Sequence, residues 1–307
     1  MLSSICDIFS PSGKENKMQD YLKNQLAPLF DKIEVDPLGN VTAQKGKPFG
    51  FALECGMDTL GVMIVSKSEG KAFFAGVGGI NAEYLNGKKI VFENGEFGIV
   101  RCDGKLTAET KLSDLYLEMD TEHINVGDFG VLDAGFSQNS TKIFANGIGD
   151  RVAIMSVVSA LKKANLPQNL CVVFTAQRRI GGKGLRAFFG ANTFKNIVTV
   201  DGITNIGGVK SGNGCAVIAV DGREVSNPIF RGKIEKLADE NNIKYQKSVT
   251  DENLCIEFIS TSGVGAVCCA LGIPVGYKGK AYESVEKSDL DSTTELIKKL
   301  IENADAC

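Results

Sequence analysis

The sequence predicts an α/β protein that carries a small inserted β-barrel, and two observations lead to this fold class. In both outer parts of the chain, short apolar runs typical of buried strands alternate with segments of helical period. Between them, short strand-like runs are separated by glycines at the spacing of a small barrel. We therefore expect a discontinuous α/β domain, residues 1–65 and 143–307, and an inserted β domain, residues 66–142.

The N-terminal part predicts a helix, a hairpin and two further strands. Ser12 and Glu15 have capping-box spacing, and apolar residues at helical intervals follow them. A Pro-Leu-Gly turn sequence at residues 37–39 lies between two short strand-like runs, which predicts a hairpin. Apolar runs at residues 50–55 and 61–65 predict the next two strands.

After the predicted insert, the alternation of helices and strands resumes. This alternation favours a single α/β domain that the insert interrupts in sequence only. The predicted elements are, in order, a helix near 150–164, a strand at 170–176, a helix at 184–189, a strand at 197–201, a helix at 227–241, an apolar segment at 264–271 and a helix at 289–304.

Composition excludes several classes of protein. The chain has 307 residues, 43% hydrophobic and 23% charged, with a formal net charge of −3, as expected for a globular protein with a sizeable core. It has no basic excess for nucleic acid and no apolar run near the roughly 20 residues of a membrane helix. Its first residues lack the pattern of a secretion signal. We expect no nucleic-acid or membrane partner and a cytoplasmic location.

Cysteine and histidine usage limits the metal chemistry. Nine cysteines, an odd count without a Cys-x-x-Cys pair, indicate free buried thiols rather than a disulfide framework. His123 is the single histidine and falls in the predicted insert. Any metal site that needs two imidazoles is therefore excluded.

Several motifs occur in a specific order and spacing along nearly the whole chain. They are Phe9-Ser10-Pro11-Ser12-Gly13, Asp36-Pro37-Leu38-Gly39-Asn40, Met57-Asp58-x-x-Gly61, Asp150-Arg151, Gln177 and Val200-Asp201. By these motifs the chain resembles the family 42 metallo-aminopeptidases, the tetrahedral or glutamyl aminopeptidases. The resemblance implies a three-layer α/β/α domain with a mixed sheet and a dimerisation-type insert. It also implies a homo-oligomer, a dimer or larger, or a hetero-oligomer with an active paralogue.

The resemblance implies positions for two metal ions and a general base, and most of them carry unsuitable residues. The family's first histidine ligand corresponds to Gly56, and its bridging carboxylate corresponds to Gly149. Its pair of glutamates, general base and metal ligand, corresponds to Arg178 and Arg179. Asp201 alone is retained as a ligand type, although it is equally suited to cap a turn.

Three other site positions complete the comparison with the family. Asp58 and Asp150 are retained, and we interpret Asp58 as a buried hydrogen-bonding residue rather than a ligand. The family's final histidine falls on Tyr282 or Glu283, depending on where a one-residue gap is placed. Neither choice restores an imidazole.

Two divalent ions about 3.5–4 Å apart need a bridging carboxylate and a shell of anionic or imidazole ligands. Arginine is protonated at ordinary pH and has no lone pair to donate. We therefore expect no catalytic residue and no metal cofactor. We hypothesise that one or both guanidinium groups take the space of the metals and pair with Asp58, Asp150 or Asp201.

Three functions stay open on the sequence alone. We favour a pseudoenzyme, a non-catalytic homologue that keeps the fold for assembly or for binding a peptide. The alternative is an active aminopeptidase with an atypical or single-metal site that uses zinc or cobalt. A third reading reuses the pocket through a Cys55 thiolate, whose pKa nearby arginines would lower, or through arginines that bind a carboxylate.

Overall fold

The structure of the protein, a computed structural model, describes residues 2–47, 50–205, 207–222, 224–252, 254–261, 265–280 and 282–304. Within these ranges the chain forms α1 Leu2–Cys6, α2 Asn16–Leu26, α3 Val152–Lys163, α4 Lys183–Ala191, α5 Pro228–Glu240, α6 Ile256–Ser260 and α7 Lys287–Glu302. The strands are β1 Lys32–Val35, β2 Val41–Gly46, β3 Phe51–Gly56, β4 Gly61–Ser68, β5 Lys71–Val77, β6 Lys89–Phe92, β7 Phe97–Cys102, β8 Leu115–Glu118, β9 Phe129–Leu132, β10 Ser137–Gln138, β11 Lys142–Ala145, β12 Asn169–Thr175, β13 Asn196–Thr204, β14 Cys215–Asp221, β15 Glu224–Val225, β16 Tyr245–Thr250, β17 Val267–Val275 and β18 Glu283–Glu286.

A mixed nine-stranded sheet forms the centre of the α/β domain. Its order is β1-β2-β12-β3-β13-β17-β14-β15, and β16 pairs with β14. The middle strands β12, β3, β13 and β17 are parallel to one another. The hairpin β1-β2 joins β12 antiparallel at one side, and β14 joins β17 antiparallel at the other. The carboxyl ends of the parallel strands therefore meet at one edge of the sheet.

Helices cover both faces of this sheet. α2, α3, α5 and α7 supply buried residues to the larger core, whereas α4 and α6 supply the core on the opposite face. Because side chains alternate along a strand, Leu53 and Cys55 of β3 enter the larger core, and Ala52 and Glu54 face α4 and α6. The predicted three-layer α/β/α architecture is confirmed.

The predicted small barrel is also confirmed. Strands β4-β5-β8-β7-β6-β9 close into a barrel with its own apolar core, which includes Val62, Leu85, Ile90 and Leu117. A further small sheet, β10-β11-β18, lies within the α/β part. The division of the chain at residues 65/66 and 142/143 stays a prediction, and β4 begins at Gly61.

The predicted capping box before the first amphipathic helix is wrong. The Ser12 hydroxyl donates to the Asp58 carboxylate instead. Glu15 accepts hydrogen bonds from the backbone N–H groups of Gly13 and Gln177, at 2.8 and 2.9 Å. Tertiary partners have therefore replaced the local cap, because buried Asp58 and the turn at Gln177 need these groups.

Helix length and composition bear on the expected absence of a membrane partner. Among the described ranges no helix combines the length and the apolar composition that a bilayer crossing requires. The longest described helix, Lys287–Glu302, has 16 residues and carries several charged side chains.

Candidate functional site

The two arginines lie in a turn at the carboxyl edge of the sheet. β12 ends at Thr175, Gln177 has a left-handed backbone with φ of 55°, and a 3₁₀ turn then covers Arg178–Ile180. In the neighbouring parallel strands, Gly56 pairs with Thr175 and Asp201 lies just beyond the partner of Cys55. The fold therefore brings Arg178 next to Gly56 and Asp201, where open α/β sheets bind ligands.

Arg178 is buried and pairs with an acid that the sequence analysis missed. Its Nη1 donates to both carboxylate oxygens of Glu54, at 3.1 and 2.9 Å, and Glu54 is fully buried. Its Nη2 donates to the Leu254 carbonyl at 3.1 Å and lies 3.5 Å from Asp201 Oδ2. The hydroxyls of Thr175 and Thr199 also donate to Glu54. This buried ion pair is thus surrounded by hydrogen-bond partners, as a buried charge requires.

Arg179 joins the remaining acids. Its guanidinium makes an ion pair with Asp150 and lies 3.6 Å from Asp201 Oδ1. Its backbone N–H donates to Asp58 Oδ2 at 2.9 Å. The other Asp58 oxygen is buried, with no hydrogen-bond partner among the described residues. We call one set of residues the arginine cluster: Arg178, Arg179, Glu54, Asp58, Asp150 and Asp201.

Charge and burial act in opposite directions within the arginine cluster. Burial alone would raise the pKa of Asp201, but the charges of Arg178 and Arg179 hold that pKa below its usual value. Burial also opposes the charge of Arg178, but Glu54 and Asp201 raise its pKa well above the ordinary value. Both arginines are therefore cations at any pH at which the protein is folded. Burial raises the pKa of Asp58, which has only the Ser12 hydroxyl and the Arg179 N–H as donors.

Two glycines, at positions where the resemblance implies metal ligands, leave room for long side chains. A Cβ at Gly56 would lie 2.7 Å from Cδ of Arg178. A Cβ at Gly149 would lie 3.1 Å from Oε2 of Glu283 and 3.3 Å from Cγ of Lys278. Real Cβ atoms do not approach other atoms at 2.7 Å, so a side chain at position 56 and Arg178 compete for one space. The absence of a side chain at Gly56 and the position of Arg178 are therefore sterically coupled.

The structure brings Glu283, and not Tyr282, to the site. Glu283 is buried and accepts hydrogen bonds from the N–H groups of Gly149 and Gly279, both at 2.6 Å. Burial, followed by the charge of Asp150, raises the pKa of Glu283 to about 7. Tyr282 is 47% exposed, and its ring lies 4.8 Å from Nζ of Lys88 instead.

Sequence reasoning missed Glu54 and Lys278, although the first carried a usable signal. Glu54 interrupts an otherwise apolar run of β3, and an acid in a buried strand requires a buried partner. Lys278 pairs with Glu252 at 2.7 Å and donates to the Gly202 carbonyl at 2.6 Å. It lies in the segment after β17, where no sequence pattern pointed to it.

Cys55 has a packing role, and its location does not agree with the thiolate of the third reading. Cys55 is fully buried in the larger core, on the face of β3 opposite to Glu54. Burial, followed by the charge of Glu54, raises its pKa well above the ordinary value. A thiol in this environment stays protonated and is a poor nucleophile.

The side chains of the arginine cluster do not fit a pair of divalent ions. Asp150 and Asp201, the acids nearest the implied metal positions, already pair with guanidinium groups. Gly56 and Gly149 have no donor atoms, and Arg178 and Arg179 have no free lone pair. Among the described residues no group of three histidine, cysteine or acidic side chains is arranged to hold a metal ion.

Known proteins share this fold over nearly their whole length. An aminopeptidase from Desulfurococcus kamchatkensis superposes with a TM-score of 0.90 at 22% identity, covering 98% of this chain and 93% of its own. The TET1 peptidase of Pyrococcus horikoshii, which can assemble into a tetrahedron or a large octahedral shell, superposes with a TM-score of 0.86 at 24% identity, covering 98% of both chains. The lysyl aminopeptidase of Pyrococcus furiosus is 24% identical over 339 residues, 98% of this chain and 96% of its own.

The family comparison overturns one expectation of the sequence analysis. The family described as M42 glutamyl aminopeptidase matches residues 39–296. Its members are metal-dependent hydrolases, so the expectation of no cofactor is wrong. The arginine cluster nevertheless does not fit two ions, so the family match and the site disagree. Because the match spans most of the sequence, the chain belongs to the M42 glutamyl aminopeptidase family.

Proposed function

We propose that this M42 family member does not hydrolyse peptides by a two-metal mechanism at the arginine cluster, and that its fold serves assembly or peptide binding. The observation that carries the proposal is the pairing of Arg178 with Glu54 and of Arg179 with Asp150 and Asp201. These guanidinium groups lie where the family resemblance implies the general base and a metal ligand.

Peptide hydrolysis needs a group that removes a proton from the attacking water. The resemblance implies that this base would lie at Arg178, and a buried guanidinium with a raised pKa cannot accept a proton. Asp150 and Asp201 are oriented toward arginine nitrogens rather than toward open space. The site therefore lacks the base that the resemblance implies, and both aspartates are already paired with guanidinium groups.

Self-assembly is the part of the proposal that the structural relatives support. The TET1 peptidase of similar fold can form a tetrahedron or an octahedral shell. The six-stranded barrel, which the resemblance associates with dimerisation, is closed and has its own core in this chain. We propose a homo-oligomer, whose mass light scattering on the purified protein would measure. A monomeric mass at micromolar concentration would contradict this.

The catalytic part of the proposal is tested by a peptidase assay. The purified protein is incubated with zinc or cobalt and a panel of peptides with different N-terminal residues. The lysyl aminopeptidase of Pyrococcus furiosus serves as the active control on a lysine-terminated peptide. We expect no release of N-terminal residues above the enzyme-free blank. Metal-stimulated release that an Asp201→Asn variant loses would overturn the proposal.

A second candidate is an aminopeptidase with an atypical or single-metal site, and the family match favours it. Asp201 and Glu283 are the oxygen donors that it would use, because both are buried beside the cluster. The two candidates differ in their response to substitution. If this second function is correct, Asp201→Asn and Glu283→Gln each abolish a measurable metal-dependent activity. If the first is correct, there is no activity for them to abolish.

A further inference from the structure

A cleft between the barrel and the α/β domain is separate from the arginine cluster. It has a volume of about 380 Å³, and neither Arg178 nor Arg179 lines it. One wall consists of the apolar side chains of Phe9, Leu60, Ile80, Leu85 and Phe92. Small-molecule sites are mostly apolar clefts of roughly 300–1,000 Å³ with a few polar groups that orient the ligand. The size and the lining of this cleft fit that description.

Two lysines at the cleft lack acidic partners. Lys88 Nζ lies 3.4 Å from Oδ1 of Asn146 and 4.8 Å from the ring centre of Tyr282. Lys280 Nζ lies 5.9 Å from the ring centre of Tyr84. Among the described ion pairs, neither ammonium group has a carboxylate within 4.0 Å. Burial lowers the pKa of Lys88, so a bound anion would relieve its partial desolvation.

The segments that carry these two lysines contact each other. Tyr282 follows Lys280 by two residues, and its backbone N–H donates to the same Asn146 oxygen that Lys88 contacts, at 3.1 Å. Tyr84, which Lys280 faces, precedes Lys88 by four residues. Asn146 and the two tyrosine rings therefore link the two segments that carry Lys88 and Lys280 on the lining of the cleft.

Most other charges of the cleft are already engaged. Lys89 pairs with Asp133 at 3.4 Å, and Lys17 lies 3.8 Å from Glu93. Asp7, which is exposed like Lys280, adds one negative charge. With Lys88 and Lys280, the unengaged charge among the described lining residues is therefore positive overall.

Two charged groups deeper in the cleft bind the protein's own backbone. Arg151 donates to the carbonyls of Met57 and Ile8, at 3.2 and 2.8 Å. Glu283 accepts from two backbone N–H groups, so its oxygens are directed into the chain. A ligand in the interior of the cleft would therefore contact mainly the apolar wall.

We propose that this cleft binds a carboxylate on an apolar body, with Lys88 and Lys280 on the carboxylate and the Phe9–Phe92 wall on the apolar part. The inference goes beyond the proposed function and does not depend on whether the arginine cluster is catalytic. A free aliphatic carboxylate and the carboxyl end of an apolar peptide share this chemistry.

The test measures binding of defined probes by isothermal titration calorimetry on the intact protein. Octanoate represents the aliphatic source, and N-acetyl-leucyl-leucine represents the peptide source. Octanol and the amide of the acetylated dipeptide are the uncharged controls. We expect at least one carboxylate to bind about tenfold or more tightly than its uncharged control. Which carboxylate binds identifies the source.

Variants locate the binding. Lys88→Met and Lys280→Met keep the length of the side chain and remove the charge, and Lys105→Met, an exposed lysine outside the cleft, is the matched control. We expect each cleft variant to weaken carboxylate binding about tenfold, with unchanged thermal unfolding, and Lys105→Met to bind as the parent. The inference is overturned if neither carboxylate binds, if the uncharged controls bind equally well, or if the Lys88→Met/Lys280→Met double variant binds as the parent.

Discussion

Asn40 binds the loop between β12 and α4, and Arg178 belongs to that loop. Asn40 follows the family motif, whereas Arg178 departs from what the resemblance implies. The Asn40 side chain accepts from the Ala176 N–H at 2.8 Å and donates to the Gly184 carbonyl at 2.9 Å. Arg178, two residues beyond Ala176, instead reaches across the sheet edge to Glu54. Asn40 matches the family motif, whereas Arg178 reverses the charge that the resemblance implies.

The comparison of Asn40 with Arg178 indicates which motif residues have a structural role. Asn40 binds backbone groups, and backbone groups are present whatever the pocket contains. Gly184 shows the same dependence, since a Cβ there would lie 2.2 Å from the Asn40 oxygen and 2.5 Å from the Ala176 carbonyl. Asn40 and Gly184, which hold the loop, therefore keep the motif, whereas Arg178 departs from what the resemblance implies and would clash with a side chain at Gly56.

The largest expected effect comes from Glu54→Gln. The change leaves the buried Arg178 guanidinium without its main counter-charge, so the free energy of unfolding should fall by about 3–5 kcal/mol. Urea unfolding of the purified variants measures this. Glu34→Gln, at an exposed residue paired with Lys32, is the control and should change stability by about 1 kcal/mol or less. A loss below about 1 kcal/mol for Glu54→Gln would show that the pair is not buried as described.

A double-mutant cycle sharpens this result. Adding Arg178→Met to Glu54→Gln removes the orphaned charge, so the double variant should be more stable than the sum of the single changes predicts. Strict additivity of the two free-energy changes would contradict a direct contact between these residues.

The next effect is a pH dependence that Glu283 introduces. Its pKa rises from an ordinary 4.5 to about 7 in the folded protein, so the folded state binds more protons than the unfolded state between these values. The contribution of Glu283 to the free energy of unfolding therefore falls by about 3 kcal/mol as the pH rises from 4.5 to 7. Unfolding of the Glu283→Gln variant at pH 4.5–8 should show a shallower decline than that of the parent protein. Parallel profiles would be inconsistent with a buried, protonated Glu283.

Asn40→Ala should have a moderate effect. It leaves the Ala176 N–H and the Gly184 carbonyl without their partner, so we expect a loss of about 2 kcal/mol in the free energy of unfolding. Asn94→Ala is the matched control, because Asn94 makes an exposed contact with the His123 carbonyl. Chemical unfolding of both variants makes the comparison, and equal losses would refute a special role for Asn40.

Gly56→Ala should cost about 1–2 kcal/mol, because the new methyl group meets Cδ of Arg178, a side chain that the ion pair with Glu54 holds in place. In an Arg178→Ala background the same change should cost less, since the competing side chain is gone. Thermal unfolding of the four proteins tests the coupling. Equal costs in both backgrounds would mean that the two positions do not share one space.

Local signals made much of the fold predictable. The turn at residues 37–39 was read from its own residues, and it joins β1 and β2 as expected. The helix Pro228–Glu240 begins at Asn227, whose side chain accepts from two backbone N–H groups of its first turn. Such features depend on neighbours in sequence, so pattern and spacing are sufficient to find them.

Features that depend on distant residues were not predicted in the same way. Strands β14 and β16 were not assigned from the sequence, since each depends on pairing with segments far along the chain. The capping box failed because Asp58 and Gln177 provided better partners. Glu54 lies 124 residues before Arg178, and no periodicity connects them. The sequence located the two arginines, but the acid that binds one of them became visible only in three dimensions.

The most direct test of the central claim is a crystal structure of the protein grown with zinc, with anomalous data recorded at the zinc edge. We predict the Arg178 guanidinium within hydrogen-bond distance of Glu54, and that of Arg179 between Asp150 and Asp201. Both arginines turned toward solvent, with an anomalous peak between Asp150 and Asp201, would contradict the account.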